Sequence, residues 1–333
     1  MYIYKCIYIM SNLVHLTIIR KRCGNGHTYT DRNSGKRIKE RSRILKLKKL
    51  GVPPGYPTAY LTENMNEKIL AIGIDARGRS QYMYNQSHKD EARKDKYEKL
   101  YLFGKKLPTL IRSINHELEN PNNSNYVAAL IIKLISVSYF RIGCNKYAAE
   151  NYSYGVTTLL RNHIRFSKNK SVIINFPGKH GVINRYTVIE SKNPHLYRYL
   201  LSKRNIPRNE SLFPSETQSS VNAFLSDFGS FSSKYFRTWN ASKICLMNLS
   251  LSPDPLNLSV KDRRIHVKNA IRKTAEKLHH TESICKSSYI CPAVIHLYTE
   301  QPAVWNKLNM RYKNKNMNRF LLEVVKYYNS TST

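Results

Sequence analysis

The sequence predicts an α+β fold in two domains: a small β-rich N-terminal domain over residues 1–92 and a larger, mainly α-helical domain with a β-hairpin over residues 93–333. Three observations predict it. The chain has 333 residues, 41% of them apolar, which is enough for more than one core. Glycine and proline turn signals break up the first part, and helical periodicity dominates the second.

Between residues 11 and 92, Gly24, Gly26, Gly35, Pro53, Pro54, Gly55, Gly73 and Gly78 separate short apolar runs such as Ile69-Leu70-Ala71-Ile72, the pattern of a small sheet with a helix or two. After the Gly78 turn the chain alternates as a strand does, with Tyr82 and Tyr84 on one face and Gln81 on the other. Residues 87–101 are charged all round and helical in propensity, which predicts an exposed helix leaving the first domain near residue 92.

Beyond it, Val127, Leu130, Ile131, Leu134 and Ile135 recur at helical spacing within residues 125–140, a buried stripe that ends just before Arg141. A short helix over 145–151 carries Lys146 and Tyr147, and strands follow at 163–166, 172–176 and 185–189. Pro177-Gly-Lys-His-Gly181 joins the last two, so Lys179 is expected at a hairpin tip. Helices are predicted over 220–228, 234–247 and 260–279, an Asn- and Lys-rich surface linker over 307–319, and an amphipathic helix through Phe320, Leu321, Val324 and Val325.

With 55 Lys plus Arg against 22 Asp plus Glu, the formal charge is +33, an excess that folding does not require and that suits a polyanionic partner, nucleic acid first. No apolar run approaches the roughly twenty residues that span a bilayer, and the opening MYIYKCIYIM is too short and interrupted for a secretory leader, with Met10 a second candidate start. Cys6, Cys23, Cys144, Cys245, Cys285 and Cys291 lack CxxC spacing and read as reduced thiols. Cys23 and His27 stand four apart without a second pair, so an ordinary turn is the better reading, and no metal and no cofactor are expected.

Five ordered blocks remain: GIDARGRSQYMY (73–84), RIGCNKYAAENYSYGVTTL (141–159), FPGKHGV (176–182), VNAFL with KYFRTW (221–239), and HTESICKSSY (280–289). Together they resemble the type IB DNA topoisomerases of poxviruses, giant DNA viruses and some bacteria. The resemblance implies a tyrosine-recombinase-like catalytic domain and an N-terminal clamp on double-stranded DNA, acting as a monomer. It also implies relaxation of positive and negative supercoils without ATP or metal, through a transient 3′-phosphotyrosyl bond, strand rotation and religation.

By that resemblance Tyr289 is the nucleophile, Arg141 and Arg237 stabilise the transition state, Lys179 is the general acid for the leaving 5′-oxygen, and His280 bonds a nonbridging phosphate oxygen. The residue types suit those roles. A free phenol has a pKa near ~10 and needs nearby cations to attack at neutral pH, and planar guanidinium forks match phosphate oxygens. The spacing to Tyr289 favours His280 over its neighbour His279, and a histidine here points to the viral branch, where bacterial members often carry asparagine. That branch implies the virion and the site of viral DNA replication in the host cytoplasm; a bacterial source would imply the bacterial cytoplasm.

Gln81, Tyr82 and Tyr84 correspond to the family's groove-contacting strand, Lys146 and Tyr147 to a DNA-facing segment, and Lys234 to a backbone contact. Cys144 stands where poxvirus members have a base-contacting lysine, so their pentanucleotide preference does not carry over. A tyrosine recombinase or integrase shares most of the catalytic set, but usually has His-x-x-Arg where this chain has Lys234-Tyr-Phe-Arg237. A noncatalytic DNA-packaging protein explains the charge but not the ordered blocks.

Overall fold

A computed structural model describes residues 15–331, apart from the side chain of Thr331. The opening MYIYKCIYIM, with Cys6 and Met10, lies outside the described residues. The chain divides into two compact units, residues 1–96 and 97–333.

The first unit is built on an antiparallel sheet in the order β2-β1-β3-β4-β5, with β1 at Ile18–Cys23, β2 at Gly26–Asp31, β3 at Thr58–Leu61, β4 at Ile69–Ile74 and β5 at Ser80–Tyr84. Its core gathers Ile18, Tyr29, Ile38, Ala59, Leu61 and Ala71 with Leu47 from the helix Arg41–Lys48. Arg20 is buried inside this unit and has no carboxylate partner among the described residues. Its guanidinium donates instead to the carbonyls of Val52, Pro53 and Tyr56 at 2.9, 2.8 and 3.2 Å, which ties the Pro53-Pro54-Gly55 turn to β1. Cys23 and His27 fall at the β1–β2 turn, where the His27 ring meets the Pro54 carbonyl at 3.1 Å.

The predicted exposed helix is part of a longer one. Helix Gln86–Glu117 runs on through Gly104 and Pro108, burying Tyr97, Leu100, Phe103, Leu107, Leu110 and Ile114. Gly104 is required by close packing: a Cβ there would strike the Trp239 ring. In the second unit the helix Tyr126–Ser138 buries more than the predicted stripe, adding Ala128, Ala129 and Ile132 to it while Val127 is half-buried, and ends where Tyr139 adopts a left-handed φ of 62°.

A three-stranded antiparallel sheet follows, β6 at Ile164–Ser167, β7 at Ser171–Pro177 and β8 at Ile183–Ile189, with β7 in the middle. The α-helices after this sheet are Pro194–Ser202, Gln218–Ser226, Lys234–Ser250, Val260–Leu278, Glu282–Ser288, Pro292–Glu300, Pro302–Tyr312 and Met317–Thr331. The surface linker predicted over 307–319 is therefore corrected. Pro302 starts a helix at its first turn, Trp305 is fully buried beside Tyr298 and Phe320, and only a short break at 313–316 separates this helix from the last. Of the Asn and Lys residues that suggested a linker, Lys307, Asn314, Lys315 and Asn316 are exposed, whereas Asn318 accepts the Trp239 indole N–H at 3.0 Å.

Candidate active site

Arg141 lies just past the buried Tyr126–Ser138 helix, on a segment that a second segment fixes in place. The Arg141 carbonyl accepts the Val156 N–H at 2.9 Å, and the Ile142 carbonyl accepts both the N–H and the hydroxyl of Thr157. Gly155 is needed for that approach: a Cβ there would sit 2.7 Å from the Arg141 oxygen and nearer still to the backbone of Gly143. Gly143 itself has φ of 103°, which favours glycine.

Arg237 comes from the first turns of helix Lys234–Ser250 and is only 4% exposed. His280 begins the turn into helix Glu282–Ser288, and Tyr289 ends that helix. His279 instead caps helix Val260–Leu278 in a left-handed conformation with φ of 55°.

These elements bring four of the predicted residues together. Arg141 Nη2 stands 3.2 Å and Arg237 Nη2 2.9 Å from His280 Nε2, and Arg141 Nη2 lies 3.5 Å from the Tyr289 hydroxyl. The His280 and Tyr289 rings stack with centroids 4.9 Å apart, and the Arg237 guanidinium carbon lies 5.1 Å from the Tyr289 ring centre. Guanidinium nitrogens only donate, so His280 Nε2 accepts from both arginines and its ring proton resides on Nδ1.

The electrostatics follow from this packing. Burial would push the Tyr289 phenol up, but the guanidiniums of Arg237 and Arg141 outweigh it and hold the phenol below its ordinary value. Burial first, then Arg141, Arg237, His279 and Lys179, lower His280 to about 3, so the imidazole is neutral at physiological pH. Burial brings Arg237 down to about 10, still a cation. Its Nε and Nη1 are buried without a hydrogen-bond partner, an arrangement that costs free energy unless an acceptor enters.

Lys179 occupies the tip between β7 and β8, where His180 and Gly181 have φ of 64° and 74°. Gly178 closes that tip by donating to the Val182 carbonyl at 2.8 Å. The lysine is exposed and makes no hydrogen bond or ion pair among the described residues, yet its charge acts on His280. Its place differs from the other four: they form one packed cluster, and Lys179 stands exposed on the β7–β8 tip.

Of the other predicted residues, Tyr82 and Tyr84 share the exposed face of β5 with ring centroids 6.2 Å apart, and Gln81 bonds Asp75 at 3.2 Å on the other face. Lys146 and Tyr147 are exposed on helix Asn145–Asn151, and Lys234 is the exposed first residue of the helix that carries Arg237. Sequence reasoning missed Gly143, Gly155 and Thr157, which place Arg141. All three lie within the 141–159 block, but nothing in that block says which of its residues bond to which.

Residues 85–316 match the family model described as the catalytic core of eukaryotic DNA topoisomerase I. The chain belongs to the type IB DNA topoisomerase family. Within the family it is similar to the small viral members. It is 28% identical to DNA topoisomerase 1B of Acanthamoeba polyphaga mimivirus over 93% of this chain and 95% of that protein. It is 26% identical to DNA topoisomerase 1 of Rabbit fibroma virus, strain Kasza, over 81% and 84% respectively. Against DNA topoisomerase 1B of vaccinia virus, strain Copenhagen, the identity is 26% over 70% and 74%. Among the described residues no helix of this family member is long and apolar enough to cross a membrane, and no group of three or more His, Cys, Asp or Glu side chains is placed to hold a metal ion.

Proposed function

We propose that this topoisomerase relaxes positive and negative supercoils of duplex DNA by reversible transesterification, with Tyr289 as nucleophile. The Tyr289 hydroxyl loses its proton to solvent as its oxygen attacks the scissile phosphorus, a phosphotyrosyl bond forms to the 3′ end, and the P–O5′ bond breaks. Lys179 gives the leaving oxygen its proton. One phosphodiester replaces another, so swivelling and religation need no energy from ATP. The observation that carries this reading is the convergence of two guanidiniums on one buried phenol whose pKa they lower, with two further nitrogens of Arg237, Nε and Nη1, buried without a hydrogen-bond partner. A phosphate oxygen is the acceptor those groups fit, and donors fixed in advance around a developing charge stabilise a charged transition state strongly.

His280 carries a further consequence. In the DNA-free site its Nε2 is an acceptor. A nonbridging oxygen that enters between the arginines takes over their N–H groups, and Nε2 bonds that oxygen only when it holds a proton. DNA engagement therefore goes with a shift of the imidazole proton from Nδ1 to Nε2, or with the gain of a second proton.

The same reading assigns residues 1–92 to the DNA clamp and 93–333 to catalysis, in a monomer. Gln81, Tyr82, Tyr84, Lys146, Tyr147 and Lys234 then lie on the DNA side; the exposure of the tyrosines and lysines and the charge of +33 support this. The viral relatives support a viral source, and with such a source the reading puts the protein in the virion and at the site of viral DNA replication in the host cytoplasm.

Covalent trapping tests the nucleophile. A duplex cut close to the 3′ end of the scissile strand, so that the released fragment with the 5′-hydroxyl is short enough to diffuse away, should accumulate a protein–DNA adduct with the wild type and none with Tyr289→Phe, which should still bind. An adduct at normal yield in Tyr289→Phe removes Tyr289 from the reaction.

A further inference from the structure

The backbone around the nucleophile is held by hydroxyls from two distant helices. Tyr289 N–H and Ile290 N–H both donate to the Cys285 carbonyl, at 3.1 and 3.0 Å, as the helix closes. The next groups turn outward from that helix. The Tyr289 carbonyl accepts from the Ser242 hydroxyl at 3.3 Å, the Cys291 N–H donates to the same hydroxyl at 2.9 Å, and the Ile290 carbonyl accepts from the Tyr97 hydroxyl at 3.3 Å.

Ser242 has no exposed surface, and Tyr97 is 4% exposed. A buried helical serine ordinarily returns its proton to the carbonyl four residues back, and Ser242 does reach Thr238 in that way at 2.8 Å. That bond alone explains a serine in a helix. It does not explain the two bonds that cross to a segment 47 and 49 residues away. One hydroxyl has one proton and two lone pairs, so Ser242 shares its proton between two carbonyls and still accepts from Cys291.

We infer that Ser242 and Tyr97 are positioning residues for the nucleophile, fixing the 289–291 backbone so that the Tyr289 phenol stands against Arg141 and Arg237 before DNA arrives. The inference rests on the reading of Tyr289 as nucleophile. Its mechanical basis is that Ser242 and Arg237 share one helix, five residues apart, so the guanidinium and the anchor of the phenol move as one body. If the anchor is cut, the segment drifts relative to Arg237. The phenol then loses the cation that lowers its pKa most, and attack loses its aim. A misplacement of about 1 Å in a reacting group costs on the order of 10²-fold in rate.

The test is single-turnover cleavage of the trapping duplex by the full chain across pH 6–10, with noncovalent DNA affinity and thermal midpoint measured beside it. Ser242→Ala should cleave on the order of 10²-fold more slowly, with DNA affinity unchanged and the pH profile moved to higher pH. Tyr97→Phe, which removes a single oxygen and keeps the ring in the core, should slow cleavage several-fold with the same direction of shift. Ser242→Thr, which keeps the hydroxyl, should recover most of the rate. Wild-type rates in both Ser242→Ala and Tyr97→Phe overturn the proposal. So does slowing with an unmoved pH profile, because loss of fold reduces the active fraction without changing the phenol. The nucleophile is tested separately: an adduct in Tyr289→Phe refutes that reading, whereas a Tyr289-dependent adduct indifferent to both anchors refutes only the positioning role.

Discussion

Replacing Arg237 tests the electrostatic reading of the site most sharply. Its guanidinium carbon lies 5.1 Å from the Tyr289 ring centre, and the side chain is 4% exposed. Two unit charges at that separation in an effective dielectric of about 20 interact by about 3 kcal/mol. Removal of one preorganised donor from an oxyanion site costs about 2.7–4 kcal/mol by a separate line of argument. Both routes predict that Arg237→Ala slows single-turnover cleavage by roughly 10²–10³-fold. Arg237→Lys restores the charge but not the fork: one ammonium cannot serve His280 through one nitrogen and a phosphate through two others. It should therefore recover only part of the loss. The sign of the pH effect is fixed as well. Arg237 is the larger of the two charges that lower the Tyr289 phenol, so its removal raises that pKa and moves the cleavage profile to higher pH. Noncovalent affinity should scarcely change, since 55 basic side chains share the electrostatic attraction. The assay is rapid-quench cleavage of the trapping duplex at saturating protein. A loss below tenfold in Arg237→Ala, or full activity in Arg237→Lys, would refute the reasoning.

Three further outcomes follow from the same geometry. Lys179→Ala should slow cleavage severely on ordinary DNA and be partly rescued where sulfur replaces the 5′-bridging oxygen, because a thiolate leaves without a proton; equal slowing on both substrates removes the general-acid role. Gly155→Ala should disable cleavage by displacing the Arg141 segment, from which the new Cβ would stand 2.7 Å away at the carbonyl oxygen, and should lower the thermal midpoint; unchanged kinetics would mean that Arg141 does not depend on that contact. Nitrogen NMR of the DNA-free protein should find His280 neutral with its proton on Nδ1 throughout pH 5–8, since its folded pKa is held at about 3. The depressed value also means that this histidine favours the folded state above its unfolded pKa near ~6.5 and that its contribution falls away as pH drops toward 3. A titration midpoint near 6.5 in the folded protein contradicts the packing described.

Much of this was legible in the sequence because the physics is local. The 126–138 helix is written in its apolar run, and the β7–β8 hairpin in two apolar strands around Pro177-Gly-Lys-His-Gly181. The Tyr82/Tyr84 face is written in period-two alternation. The break expected at 307–319 failed for the reverse reason. Composition there is polar, and the decisive residue is one Trp305 whose burial depends on Tyr298 and Phe320. The clustering of Arg141, Arg237, His280 and Tyr289 spans 148 residues and came from resemblance of ordered blocks, not from spacing. What sequence could not supply is how those side chains are aimed. The Arg141 carbonyl bond to Val156 is an approach of two backbones across a glycine, and the Ser242 bonds to Tyr289 and Cys291 come from a residue that reads as one more serine in a helix.

The most direct test of the central claim is relaxation of positively and negatively supercoiled plasmid by the purified full chain in EDTA without ATP, with Tyr289→Phe run in parallel. The account predicts relaxation of both signs by the wild type and none by the variant. Failure to relax either sign, or equal relaxation by Tyr289→Phe, would contradict it.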